Sequence, residues 1–148
     1  MKRQDKYPET STFHYHNANP YNRITTDCVV RAISTATKIP YNQVVMEMAE
    51  LQCETGYDDG DTKLYDKYLQ AKGFIKYKQP RKDDGTKYTG KEFCKEISKR
   101  FELLGSKIVA NIGGGHVVCI KDHDGMGHKV WDTWNSTGGC IGNYWVKQ

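Results

Sequence analysis

The sequence lacks any long apolar run. Its 148 residues contain no stretch that approaches the roughly 20 apolar residues of a bilayer-spanning helix. The N-terminus begins with basic residues, but the apolar segment of a secretory signal does not follow them. We therefore expect a cytoplasmic protein that has no membrane partner.

Cysteine is present without a pairing pattern. The five cysteines are an odd number and are scattered along the chain, unlike the disulfide framework of a small secreted domain. No Cys-x-x-Cys pair is present to complete a structural zinc site. His14 and His16 form only a pair, and His116 and Cys119 lie three apart, so they point to opposite faces of a strand. We therefore predict neither a metal site nor another cofactor.

The net charge of +4 is unevenly distributed. Residues 47–61 include six acidic side chains and no basic one, whereas residues 76–100 include nine basic and four acidic ones. A basic segment can bind nucleic acid, but no nucleic-acid recognition module and no stacking aromatics at the matching spacing accompany it. We interpret it as a solvated surface and do not expect nucleic acid as a partner.

The hydrophobic period changes along the chain. Residues 1–20 are polar and aperiodic, which predicts an irregular N-terminal arm, and residues 21–148 are expected to form one domain. Helical spacing, capping residues and prolines predict helices over about 28–39, 40–52, 62–73 and 90–100. The later runs KIVANI, HVVCI, KVWDTW and NYWV predict antiparallel strands. The fold class is therefore α+β, with N-terminal helices packed on a C-terminal antiparallel sheet.

Cys28 falls in the first turn of the first predicted helix. The helix N-terminus carries the positive end of the peptide dipoles, which lowers the pKa of a thiol and favours the nucleophilic thiolate. A cysteine beside Val29 and Val30 is equally compatible with a small buried hydrophobic residue. Cys28 alone therefore does not identify an enzyme.

His116 follows three glycines and enters a strand. Because the glycines carry no side chains, little bulk blocks the approach of a ligand's backbone to His116. If Lys121 lies opposite Gly127 across the turn, His116 lies directly opposite Asp132, at about 5 Å between Cβ atoms. A slip of one residue would turn Asp132 to the other face. His116 can instead be a sheet-edge hydrogen-bonding residue, and Asp132 can cap the loop that follows it. Asn135 is the alternative group to orient the ring.

The segments NRITTDCVVRAIS, GGHVVCI and VWDTW place a Cys, a His and an Asp in a fixed order. This order resembles the papain-like cysteine peptidase fold, and in particular a small branch with bacteriocin leader-processing peptidases. D-C-V-V-R-A-I and D-T-W also resemble segments of uncharacterised phage and prophage proteins. These resemblances imply a papain-like domain over residues 21–148, in the cytoplasm of a bacterial or phage-infected cell.

The resemblance also implies roles for individual residues. Cys28 is the expected nucleophile, His116 the general base and acid, and Asp132 the orienting group. Asn22 stands where the leader peptidases have a glutamine that donates to the oxyanion, and Val29 stands where they tend to have glycine. We therefore expect a thiol hydrolase, cysteine peptidase or amidase-like, that acts on a protein or peptide-like substrate through an acyl-enzyme.

A second hypothesis is a catalytically weak or inactive phage-encoded binding protein that inhibits a host factor. The small size, the polar arm, the separated charges and the asparagine at position 22 favour it. The sequence leaves the scissile bond open between peptide, isopeptide, side-chain amide and cell-wall amide. It also leaves the oligomeric state open.

Overall fold

Five α-helices and six β-strands make up the fold, so the predicted α+β class is confirmed. The computed structural model describes residues 1–148. The helices are α1 (Arg3–Lys6), α2 (Cys28–Thr37), α3 (Tyr41–Thr55), α4 (Thr62–Ala71) and α5 (Gly90–Ser98), with a 3₁₀ turn at Phe101–Leu103. The strands are β1 (Phe13–Tyr15), β2 (Ile75–Tyr77), β3 (Lys107–Ile112), β4 (His116–Asp122), β5 (His128–Asp132) and β6 (Ile141–Lys147). None of the helices combines the length and the apolar character that crossing a membrane requires.

The six strands form one mixed sheet in the order β1-β5-β4-β3-β6-β2. The four predicted strands are its centre and pair antiparallel, as expected. At one edge, β1 pairs with β5 in the parallel direction, and at the other edge β2 pairs antiparallel with β6. The edges depart from the predicted C-terminal antiparallel sheet: β1 makes the sheet mixed, and both β1 and β2 come from outside the C-terminal region. Strands of three residues are too short to show a hydrophobic period.

The segment 1–20, predicted to be an irregular arm, contains two short regular elements. It contains α1 and β1, and Phe13 of β1 is fully buried against its neighbour Val130. The backbone N–H of His16 donates to the carbonyl of Asp132 at 2.9 Å. The order of this segment comes from pairing with a distant strand, which local periodicity does not record. The N-terminal segment is thus part of the sheet and supports the end of β5.

Helices cover both faces of the sheet. On one face, α2, α3 and α4 pack through a core that includes Ile33, Leu69 and Trp145. On the other face, α5 packs Phe93 and Ile97 against a second core. Residues of β4 alternate between these two cores, as the period of a strand requires.

The helices begin in two different ways. Thr89 and Glu92 form a capping box at the start of α5, and Asp61 accepts a hydrogen bond from the Lys63 backbone N–H at the start of α4. Asp27 precedes α2, but its side chain makes no capping hydrogen bond. The first N–H groups of α2 therefore receive no acceptor from Asp27.

Replacing Phe13 with alanine tests whether β1 belongs to the core. Because the side chain is 0% exposed, we expect Phe13→Ala to lower the free energy of unfolding by about 3–5 kcal/mol. Phe101→Ala is the matched control, since that ring is 87% exposed and its loss should change stability by less than about 0.5 kcal/mol. Urea denaturation measures both. Equal effects of the two substitutions would mean that β1 is not packed as described.

Candidate active site

Cys28 is the first residue of α2 and is partly buried. The carboxylate of Asp27, the residue before it, makes no capping hydrogen bond to the helix backbone. It accepts hydrogen bonds from the Tyr41 hydroxyl at 2.6 Å, Arg31 Nε at 2.8 Å and Asn19 Nδ2 at 3.1 Å. The thiol therefore sits at the positive end of the α2 dipole, beside backbone N–H groups that Asp27 does not use.

His116 and Asp132 are directly hydrogen-bonded, with His116 Nε2 and Asp132 Oδ2 2.6 Å apart. The observed register pairs Lys121 with Lys129, two residues away from the predicted partner. Extended along the strands, this register puts Val118 rather than His116 directly opposite Asp132. The direct-opposition prediction is thus wrong. A displacement by an even number of residues keeps Asp132 on the same side of the sheet, and the side chains meet along the diagonal.

The pKa of Cys28 is lowered and the pKa of His116 is raised. Burial alone would raise the pKa of Cys28, but interaction with the His116 ring, the Val117 backbone N–H and the charge of Arg31 lower it on balance. Burial alone would lower the pKa of His116, but Asp132 and Cys28 raise it to about 9. Both shifts favour the thiolate–imidazolium pair over the neutral thiol and imidazole.

The contact between Cys28 and His116 is weaker in geometry than the hydrogen bond between His116 and Asp132. It lowers the pKa of the thiol without meeting strict hydrogen-bond geometry, unlike the His116–Asp132 bond. Because Nε2 faces Asp132, Nδ1 is the ring nitrogen left for Cys28. Catalytic hydrogen bonds are often long before a substrate binds. In space, His116 lies between Cys28 and Asp132, an arrangement that suits a nucleophile, a base and an orienting carboxylate.

Arg31 connects the two carboxylates that flank the site. Its guanidinium is buried and donates from Nε to Asp27 at 2.8 Å and from Nη1 to Asp132 at 2.9 Å. Asp132 also accepts from the Ser136 hydroxyl at 3.1 Å and the Thr133 backbone N–H at 2.7 Å. Burial would raise the pKa of Asp132, but His116 and Arg31 lower it, so the carboxylate stays ionised.

Sequence reasoning did not identify Arg31 as a site residue. The Asp27–Arg31 spacing of four residues on a helix is a signal that could have predicted this ion pair. The partner Asp132 is 101 residues away from Arg31, and no local pattern records that contact. Ser136 was missed for a similar reason, since its role depends on the path of the loop after β5.

Two of the predicted site residues, Asn22 and Asn135, make no side-chain hydrogen bond to Cys28, His116 or Asp132. Asn22 is exposed, has a φ of 55°, and its side-chain oxygen is 3.5 Å from Asn17 Nδ2. It does not line the groove that contains Cys28. Asn135 accepts a hydrogen bond from the Thr137 backbone N–H at 3.1 Å and organises the loop after β5. The structure therefore brings together Cys28, His116 and Asp132. Asn22 lies outside the groove lining, and Asn135 lines an adjoining cavity with His116 without a hydrogen bond to its ring.

A groove of about 910 Å³ opens over Cys28. Val45 and Met48 of α3 line one side, and His116 and Trp134 line the other. The Trp134 ring is 38% exposed and its centroid lies 5.2 Å from that of His116. Two further cavities of about 790 and 470 Å³ adjoin the groove, and Gly115 borders all three. The thiol thus lies in an extended, accessible depression.

The other four cysteines have different environments. Cys94 and Cys119 are buried, and burial raises the pKa of each thiol to about 12. Cys53 and Cys140 are exposed. Cys28 differs from the buried Cys94 and Cys119 in that it lines a groove and has a lowered pKa.

No protein-family model matches the chain, and no curated protein or solved structure matches it either. The chemistry of the site is therefore inferred from the side chains themselves. The likeness to papain-like peptidases in the Cys, His and Asp segments stays a prediction.

Alkylation by iodoacetamide tests the state of the Cys28 thiol. Because its pKa is lowered, we expect Cys28 to react at pH values where an ordinary thiol, with a pKa of about 8.5, is protonated. His116→Ala should move the pH profile of Cys28 upward, toward that ordinary value. Peptide mapping by mass spectrometry follows each cysteine, and exposed Cys53 is the internal control. A Cys28 profile that His116→Ala leaves unchanged would contradict the pairing.

Asp132→Asn tests the source of the raised His116 pKa. Removing the negative charge should lower this pKa from about 9 toward the ordinary histidine value of about 6.5. The imidazolium would then be lost at lower pH. An NMR titration of the His116 ring protons measures the shift, and Asn135→Ala is the control that should leave it unchanged. A larger effect from Asn135→Ala than from Asp132→Asn would mean that Asn135, and not Asp132, is the group that interacts with the His116 ring.

Proposed function

We propose that this chain is a thiol hydrolase of papain-like organisation, a cysteine peptidase or amidase that acts through an acyl-enzyme. The observation that supports the proposal is the sequence of contacts from Cys28 to His116 to Asp132 at the edge of an open groove. A thiolate needs a neighbouring cation to exist near neutral pH, and the raised pKa of His116 provides one. Packing alone does not require such a pair.

In the proposed reaction, the Cys28 thiolate attacks the carbonyl carbon of the substrate and forms a carbon–sulfur bond. The carbonyl electrons move to the oxygen, which becomes an oxyanion. His116 then gives its Nδ1 proton to the leaving amine, the carbon–nitrogen bond breaks, and an acyl-enzyme is left. Water next attacks the acyl carbon while His116 takes its proton. The carboxylic acid product leaves, and the thiolate–imidazolium pair is restored.

The oxyanion requires hydrogen-bond donors in this reaction. The backbone N–H of Cys28 lies at the N-terminus of α2, where the Asp27 side chain does not cap the helix. We therefore propose that this N–H donates a hydrogen bond to the oxyanion and that the positive end of the α2 dipole stabilises its charge. Asn22, the donor suggested by resemblance, lies outside the groove lining and is not part of this proposal.

A protein or peptide-like chain is the substrate class that suits the groove. The three adjoining cavities give an extended depression rather than an enclosed pocket for a small molecule. Apolar side chains of α3 line the groove near Cys28, while glycines border the side next to His116. These features fit a polypeptide that lies along the groove with its carbonyl above the thiol.

One observation favours the second candidate, a binding protein with weak or no turnover that inhibits a host factor. Asn22 is exposed and away from the groove, so the site has no side-chain oxyanion donor at that position. Losing one such donor costs roughly 100- to 1000-fold in rate. The groove would then hold a partner's chain without cleaving it.

Covalent labelling and turnover together separate the two candidates. We expect a peptide that carries an electrophilic carbonyl to form an adduct with Cys28. We also expect peptides to be cleaved when a mixture of different sequences is supplied as substrate. Cys28→Ala should abolish the adduct and lower turnover by about 10⁴-fold or more. Asn22→Ala is the matched control and should change turnover by much less than the 100-fold expected of an oxyanion donor.

Mass spectrometry detects both the adduct and the new peptide ends. Cleavage that persists in Cys28→Ala would overturn the hydrolase proposal. Labelling of Cys28 without any cleavage of peptides or amides would favour the binding protein.

A further inference from the structure

A second cluster of ligand-type side chains lies outside the thiol site. Glu9, His14 and His123 each offer one donor atom, and these atoms all lie within 4.8 Å of one another. Glu9 belongs to the segment before β1, His14 to β1 itself, and His123 to the turn between β4 and β5. None of the three contacts Cys28, His116 or Asp132 through a hydrogen bond.

The donor atoms already converge. His14 Nδ1 is 2.8 Å from Glu9 Oε1, and His123 Nε2 is 4.0 Å from Glu9 Oε2. The two imidazole rings are stacked, with centroids 3.8 Å apart. All three side chains are partly exposed, so an ion can reach them from solvent.

Two charged neighbours share this surface. Lys129 Nζ lies 2.7 Å from Glu9 Oε2, which occupies one carboxylate oxygen and leaves Oε1 on the side of His14. Asp124 Oδ2 lies 3.4 Å from His123 Nε2 and is a further oxygen donor at the edge of the cluster. The surroundings thus contain both a competing ammonium and an additional carboxylate.

We propose that Glu9, His14 and His123 bind one divalent transition-metal ion of the zinc class. Two imidazoles and a carboxylate are a donor set for Zn²⁺ and related first-row ions, whereas Ca²⁺ and Mg²⁺ prefer oxygen donors alone. Binding requires side-chain rotations that reorient the stacked imidazoles, so that the three donors reach the roughly 2.0–2.2 Å bond lengths that such an ion takes. The bound ion joins the N-terminal edge strand to the β4–β5 turn.

Trp131 gives this site an optical signal. Its ring centroid lies 4.4 Å from that of His14 and 5.3 Å from that of His123. His16 also contacts Trp131, at 5.3 Å, but does not belong to the cluster. Co²⁺ at the site should therefore quench Trp131, and His16, which directly follows β1, supplies a control residue.

The test titrates the full-length chain with Zn²⁺ by calorimetry and with Co²⁺ by fluorescence. Cys28, Cys53 and Cys140 are replaced by serine, so that accessible thiols do not bind the metal. We expect one saturable site, quenched fluorescence with Co²⁺, and a higher melting temperature with Zn²⁺. Glu9→Gln and His123→Gln should each weaken binding by about 10- to 100-fold or more, whereas His16→Gln should leave it unchanged.

The proposal fails if no saturable site is found, or if His123→Gln and Glu9→Gln bind as tightly as their parent. His123 lies in a turn, and circular dichroism verifies that its variant is folded before the titration. Quenching that disappears only in His16→Gln would assign the ion to another place. No readout here depends on peptide or amide cleavage, so the result is independent of the proposed hydrolase.

Discussion

The buried guanidinium of Arg31 is the interaction on which the site depends. It lies between the carboxylates of Asp27 and Asp132, and Asp132 in turn holds His116. The cationic Arg31 and His116 thus lie beside two carboxylates and the Cys28 thiol within a region that is largely shielded from water. Removing one partner from such a buried group typically costs about 3–5 kcal/mol, because a charge is left without compensation. The start of α2, the end of β5 and the start of β4 are thus held in one relative position.

This charge network explains why the helix start is open. Asp27 would be a good capping residue for α2, but its oxygens are committed to Arg31, Tyr41 and Asn19. The helix therefore presents its first N–H groups and its positive dipole end without a side-chain acceptor from Asp27. The thiol of Cys28 therefore lies at an uncapped helix start, and interactions with His116, the Val117 backbone N–H and Arg31 lower its pKa.

Sequence reasoning succeeded where a local pattern exists. The helices that begin near Cys28 and Thr62 and the four central strands are long enough to show a period, and all were predicted. The register of the hairpin was wrong by two residues, yet the parity of a strand kept Asp132 on the correct side. β1 and β2 are too short for a period, and their order depends on distant partners. For the same reason, neither the Arg31–Asp132 bridge nor the meeting of Glu9 with His123 had a signal in the sequence.

The long separation between the members of the thiol site has a consequence during protein synthesis. Cys28 emerges from the ribosome well before its positioning partners on β4 and β5, and Asp132 follows Arg31 by 101 residues. Contacts between such distant residues form late, because the intervening chain must be closed into a loop first. A nascent chain that has not yet released β5 therefore carries an ordinary, unactivated sulfhydryl. The lowered pKa of Cys28 is therefore acquired only after β4 and β5 have been synthesised and have paired.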